Sequence, residues 1–172
     1  AVAHFNGTAG PGRVLDLGTG TGALLLAALD QWPQASGVGL DASPAALAIA
    51  RDNAARIAPG RATIAAGGWD GTGEAFDLIL CNPPYIAADA ALSPEVAEYE
   101  PASALFAGPE GLDDYRAIAP VLGRQIAPGG VACIEIGYDQ GESAATLFRA
   151  AGLAVALRRD LAGRDRCLVV TP

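Results

Sequence analysis

The chain has 172 residues, a formal net charge of −8 and a composition that is 51% hydrophobic. That length makes one domain with a full core, and no apolar run approaches the ~18 residues that a transmembrane helix needs. The charged set is 11 Arg with no Lys against 19 acidic residues, which argues against a partner gripped through its phosphates.

Residues 1–12 form an irregular leader, and the domain proper is expected over 13–172. Apolar runs predict strands at 13–17, 36–40, 62–65, 76–81, 130–136, 153–158 and 166–171. Between them, 3.6-residue periodicity predicts helices at 21–31, 44–57, 111–126 and 140–151. Ser43 and Pro44 mark the start of the second helix as cap and first helical residue. Pro128-Gly129-Gly130 reads as a turn. Strands alternating with helices mean an α/β fold, with a mostly parallel doubly wound sheet covered on both faces. The last two runs are joined by the short segment 159–165, which predicts an antiparallel hairpin at one edge of the seven-stranded sheet.

Three places on this frame carry chemistry. After the first strand comes Gly18-Thr19-Gly20-Thr21-Gly22, then a helix. Glycines there let a backbone approach a ligand closely. Their alternating spacing is not that of the dinucleotide fingerprint, and Asp16 just before the loop suits a cationic ligand better than a pyrophosphate. Asp41 ends the second strand, where a carboxylate can take both hydroxyls of a ribose. At the end of the fourth strand stands Asn82-Pro83-Pro84-Tyr85. Its prolines fix φ and lack N–H groups, so the corner is stiff and presents a carboxamide, free carbonyls and a flat ring. That set suits holding a planar NH2-bearing group. The 86–110 stretch that follows is too long for a plain connection; with Glu95, Glu98, Tyr99 and Glu100 it is expected to border the site.

Other residues point to less. His4 is the lone histidine, so a histidine-based triad has no support. Cys81, Cys133 and Cys167 lie in apolar runs without C-x-x-C spacing and are expected as buried free thiols; no metal is expected. Arg158, Arg159, Arg164 and Arg166 read as a solvated edge. No basic-then-apolar segment opens the chain, and a cytoplasmic, monomeric protein without membrane or nucleic-acid contact is expected. The absence of any Met, initiator included, points to a trimmed chain.

Taken together, the glycine loop, Asp41 and Asn82-Pro83-Pro84-Tyr85 resemble the Rossmann-like class I S-adenosylmethionine-dependent methyltransferases. Glu100-Pro101, Ala104-Leu105, Gly108, Gly111-Leu112-Asp113, Tyr115-Arg116 and Glu135-Ile136-Gly137-Tyr138-Asp139-Gln140-Gly141-Glu142 narrow the resemblance to the release-factor glutamine methyltransferases (the HemK/PrmC family). It covers roughly residues 13–171. The resemblance implies methyl transfer from S-adenosyl-L-methionine, with S-adenosyl-L-homocysteine as product, to the glutamine amide of a Gly-Gly-Gln motif in a peptide chain release factor. It implies a cofactor site of Asp16, Gly18, Thr19, Gly20, Gly22, Asp41, Trp69 and Asn82. Catalysis falls to Asn82, Pro83 and Tyr85, with Pro84 and Glu100 also at the substrate. Two departures stand out. Only the irregular residues 1–12 precede the first strand, so a catalytic domain without the family's N-terminal helical recognition module is expected, and Gly67-Gly68 precede Trp69 where the family often has an acidic residue for the adenine amino group. Three alternatives keep a place: an amino-directed adenine or guanine methyltransferase, a ribosomal-protein glutamine methyltransferase, and a non-catalytic cofactor-binding module.

Overall fold

The structure is a computed structural model and describes residues 1–90 and 104–172. Its seven strands are β1 (Arg13–Leu17), β2 (Ser36–Asp41), β3 (Ala62–Ala66), β4 (Phe76–Cys81), β5 (Ile126–Glu135), β6 (Ala154–Arg159) and β7 (Asp165–Thr171). They make one sheet in the order β3-β2-β1-β4-β5-β7-β6. The first five pair in parallel, β7 runs antiparallel to β5, and β6 closes the edge antiparallel to β7. The predicted parallel sheet and edge hairpin are both present.

Alternation along the strands builds two cores. Val14 and Leu78 face one side, where α1 (Ala23–Gln31) and α2 (Pro44–Ile57) supply Leu25, Leu26, Leu29 and Ala54. Leu15, Leu17, Ile79 and Cys81 face the other, under α3 (Asp113–Leu122) and α4 (Gly141–Ala150), with Tyr115, Ile118, Leu122 and Phe148. Each fully buried Leu or Phe contributes about 1.5–3 kcal/mol over an exposed one. Ser43 caps α2 through Ala46 N–H and Pro44 begins it, as the sequence predicts.

Two boundaries move. The helix expected over 111–126 stops at Leu122 and passes into a 3-10 turn over Gly123–Gln125. Pro120 withholds one i→i−4 hydrogen bond, and Gly123 weakens the next turn. Strand β5 begins at Ile126, ahead of Pro128-Gly129-Gly130. Those residues nevertheless leave the ladder, because Phe76 pairs with Ile126 and Leu78 with Val131. The predicted turn is thus a bulge within a strand, with Gly129 at φ 78°. In the leader, Phe5 lays its ring edge-on to Trp32 at 5.7 Å, which ties it to the α1–α2 face. All three cysteines are free. Cys81 is buried as expected, whereas Cys133 and Cys167 are only half-buried; Cys133 lies on the α1–α2 face of β5, and those helices pack on β1, β2 and β3.

Candidate active site

The carboxyl ends of β1, β2 and β4 lie side by side in the sheet, and each carries one of the singled-out segments. Gly18, Gly20 and Gly22 all have positive φ, at 68°, 57° and 87°, a region where a Cβ clashes with the following carbonyl. A Cβ built on Gly20 would meet nothing within 4 Å, so the loop's outer surface is open to a ligand. A Cβ on Gly18 would lie 3.2 Å from the Trp69 ring and 4.0 Å from the Asn82 carbonyl oxygen. The glycine loop, the indole and the amide corner therefore meet at one point.

Asp16 sits beneath this loop and is 1% exposed. Its Oδ2 accepts from Thr19 Oγ1 at 2.6 Å and from the Leu25 N–H at 3.2 Å. Its Oδ1 is buried without a partner, and an unpaired buried carboxylate oxygen is costly unless a donor arrives. Burial pushes the carboxyl up to about 6, against the pull of the Thr19 and Leu25 hydrogen bonds and with a further push from the charge of Asp41. Thr19, predicted to face the ligand, spends its hydroxyl on Asp16 and its N–H on the Leu40 carbonyl; it braces the cradle.

Asp41 joins the second strand to the loop. Its Oδ2 accepts from the Gly20 N–H and its Oδ1 from the Ser43 N–H, both at 2.8 Å. A carboxylate has about four lone-pair sites, so both oxygens can still take hydroxyls. Trp69 is half-buried and donates its Nε1–H to Asp114 Oδ1 at 3.0 Å. Burial raises the Asp114 carboxyl and this bond opposes the rise.

Asn82 is exposed while Pro83 beside it is buried. Cys81 holds the corner on one side through β4, paired with Leu17 and Ile134. On the other side Ile86 bridges to Phe106. Tyr85 donates its hydroxyl to Glu135 Oε1 at 3.3 Å; burial raises its phenol, and the Glu135 charge adds to the rise. Glu100, with Glu95, Glu98 and Tyr99, lies outside the described residues.

The description of the methyltransferase small domain matches residues 2–99. The chain belongs to that family. Relatives named release factor glutamine methyltransferase are 47% identical over 162 residues in Caulobacter vibrioides and 51% over 158 in Cereibacter sphaeroides. These matches take in 91% and 89% of this chain but 56% and 57% of the relatives, so the chain spans little over half their length. An O-methyltransferase family protein from Burkholderia thailandensis superposes with a TM-score of 0.64 at 20% identity, over 94% of this chain and 51% of that one. That likeness shows the fold: a class I methyltransferase sheet.

Sequence reasoning did not find Asp114, Glu135 or Gln140 at this methyltransferase domain's site. Asp114 and Glu135 act on Trp69 and Tyr85 across large sequence separations, which no local spacing reveals. Gln140 stood inside a quoted motif, yet its buried network needs the fold to be seen. The arginines of the β6–β7 hairpin pair locally: Arg159 with Asp165 at 3.2 Å and Arg166 with Asp160 at 3.8 Å. That agrees with a solvated edge. Among the described residues no helix is long and apolar enough to cross a membrane.

Proposed function

We propose that this domain transfers a methyl group from S-adenosyl-L-methionine to the side-chain amide nitrogen of the glutamine in the Gly-Gly-Gln motif of a peptide chain release factor. The observation that carries the reading is the meeting of an exposed, proline-braced Asn82 with the glycine loop at Gly18, a loop whose outer surface is open at Gly20. The names of the relatives, at 42–51% identity, point to the same acceptor.

The residues present fit the cofactor. Asp16 Oδ1 has no donor from the protein and suits the ammonium of its methionine part. Asp41 suits the ribose hydroxyls, and the loop at Gly18, Gly20 and Gly22 lets the chain lie close. The Trp69 ring stands where a flat base can pack. When bound, the sulfonium supplies an electrophilic methyl; its C–S bond breaks as the C–N bond forms, S-adenosyl-L-homocysteine remains, and one amide proton is lost to solvent.

The acceptor is a poor nucleophile, since its lone pair is delocalised into the carbonyl. Asn82 Oδ1 and the Pro83 carbonyl would accept its two N–H groups. Those bonds orient the nitrogen and favour its lone pair without prior removal of a proton. Tyr85 would hold the flat amide by ring contact, with its hydroxyl anchored on Glu135. Orientation and fixed dipoles carry the rate, and alignment contributes up to ~7–11 kcal/mol in model reactions. Such a reaction places the protein in the cytoplasm, where release factors work.

The test is mass spectrometry of a purified release factor incubated with this chain and cofactor. The expected result is one added CH2 on the glutamine of the Gly-Gly-Gln motif. Methylation of an oligonucleotide instead, or of nothing, would overturn the reading.

A further inference from the structure

Gln140 stands at the start of α4 and is 8% exposed. Its carboxamide joins four separate segments. Nε2 donates to the Tyr85 carbonyl at 2.9 Å and to the Gly111 carbonyl at 3.1 Å, with the Glu110 carbonyl at 3.5 Å. Oε1 accepts from the Gly137 N–H at 3.0 Å, and the Tyr115 hydroxyl lies beside it at 3.4 Å. These partners fix the orientation of the group: carbonyls can only accept and an N–H can only donate, so nitrogen must face Tyr85 and oxygen Gly137. Tyr115 is itself anchored on the Glu135 carbonyl at 3.1 Å.

The Tyr85 carbonyl matters because of what precedes it. Pro83 and Pro84 have no N–H, so they cannot donate to a neighbour and tie the corner down that way. Among the described residues, the chain runs from Cys81 in the ladder through Asn82 to Tyr85 before the next backbone tie, the Ile86 N–H to the Leu105 carbonyl at 2.8 Å. Gln140 fastens that interval from beneath. The fit is close, since a Cβ on Gly111 would strike the Tyr85 carbonyl and come within 2.8 Å of Gln140 Nε2, and one on Gly137 would come within 2.7 Å of Oε1.

We infer that Gln140 is the positioning residue of the acceptor corner: its carboxamide bolts the Asn82–Tyr85 turn to the end of β5 and so sets the direction of the Asn82 carboxamide. It touches neither acceptor nor cofactor and acts through Tyr85. The inference rests on the reaction proposed above. A misplacement of about 1 Å far from the chemistry can cost ~100-fold in rate, which sets the size of the effect.

The experiment uses Gln140→Glu, which keeps size and the Oε1 acceptor but replaces the donor, and Gln140→Leu, which removes both. Cofactor affinity by calorimetry, kcat and KM for a release factor, and the NMR signals of the Asn82 side-chain amide are measured on each. The expected result for Gln140→Glu is a kcat lower by 10- to 100-fold, cofactor Kd within about twofold of wild type, and displaced or doubled Asn82 amide signals. Equal kcat would overturn the inference, and so would a loss of cofactor affinity parallel to the loss of rate, which marks a merely structural role. If Gln140→Leu does not fold, Gln140→Glu decides alone. If the unaltered chain methylates no release factor, the reaction is at fault and the Asn82 signals decide the positioning role: unchanged signals in Gln140→Glu refute it.

Discussion

At the residue scale the proposed reaction rests on two carboxylates and one carboxamide, each with a separable role. Asp16 is an acid whose folded value, about 6, lies above the ordinary 3.8 because it is buried. The folded chain therefore holds that proton more tightly than the unfolded chain. The stability this confers is present at low pH and lost as pH rises through the window from 3.8 to about 6. At about 1.36 kcal/mol per unit the loss is about 3 kcal/mol. Asp16→Asn does not titrate, so urea denaturation should show wild type losing about 2 kcal/mol of that relative to the variant between pH 4 and 7. A difference that stays flat with pH would refute burial as the cause. The protonated acid cannot hold an ammonium, so cofactor affinity should fall below pH ~6 in wild type only. Asp41→Ala removes the acceptor of the Gly20 N–H, and hydrogen bonds to charged groups contribute about 1.5–3 kcal/mol. Calorimetric cofactor affinity should drop roughly 10- to 100-fold. Asn82→Ala should act the other way, abolishing transfer at nearly unchanged cofactor affinity; normal turnover there would remove the amide clamp from the site.

At the scale of elements the sequence was readable wherever the physics is local. Alternation and periodicity predict all seven strands and four helices of the described residues, and Ser43-Pro44 predicts the start of α2. The glycine loop, Asp41 and Asn82-Pro83-Pro84-Tyr85 reach the same end of the sheet because each follows a parallel strand. What local patterns could not reveal is long-range: the bulge in β5 depends on register with β4, and the Trp69–Asp114 and Tyr85–Glu135 pairs span 45 and 50 residues. The turn before α3 is another such place. Gly111 sits at φ 69° against the Tyr85 carbonyl. Gly111→Ala puts a Cβ in the left-handed region, at about 1–2 kcal/mol, and against the Tyr85 carbonyl, which must shift. Its unfolding free energy from urea denaturation should fall by at least that amount, and transfer should fall with it because the corner is displaced; a stability equal to wild type would show that the turn yields freely.

The whole molecule is two cores sharing one sheet, and that sharing has a consequence for how it unfolds. Val14 and Leu78 belong to one core, Leu15, Leu17, Ile79 and Cys81 to the other. Strands β1 and β4 thus contribute alternate residues to both faces, and neither face can open without releasing strands that the other requires. The chain's two tryptophans report on opposite sides: Trp32 packs on the α1–α2 face, Trp69 on the α3–α4 face beside the glycine loop. Cooperative unfolding of a single domain gives coincident transitions from different probes. Trp32→Phe and Trp69→Phe should therefore leave single-tryptophan proteins whose fluorescence curves in urea overlay circular dichroism. Phe148 is fully buried in the α3–α4 core, far in sequence from Trp32. Phe148→Ala should cost about 3–5 kcal/mol, and the cost should appear equally at both tryptophans. A midpoint that moves at Trp69 while Trp32 holds would mean that the face bearing the acceptor corner melts by itself, and the shared sheet would not then be what keeps the corner and the cradle in register.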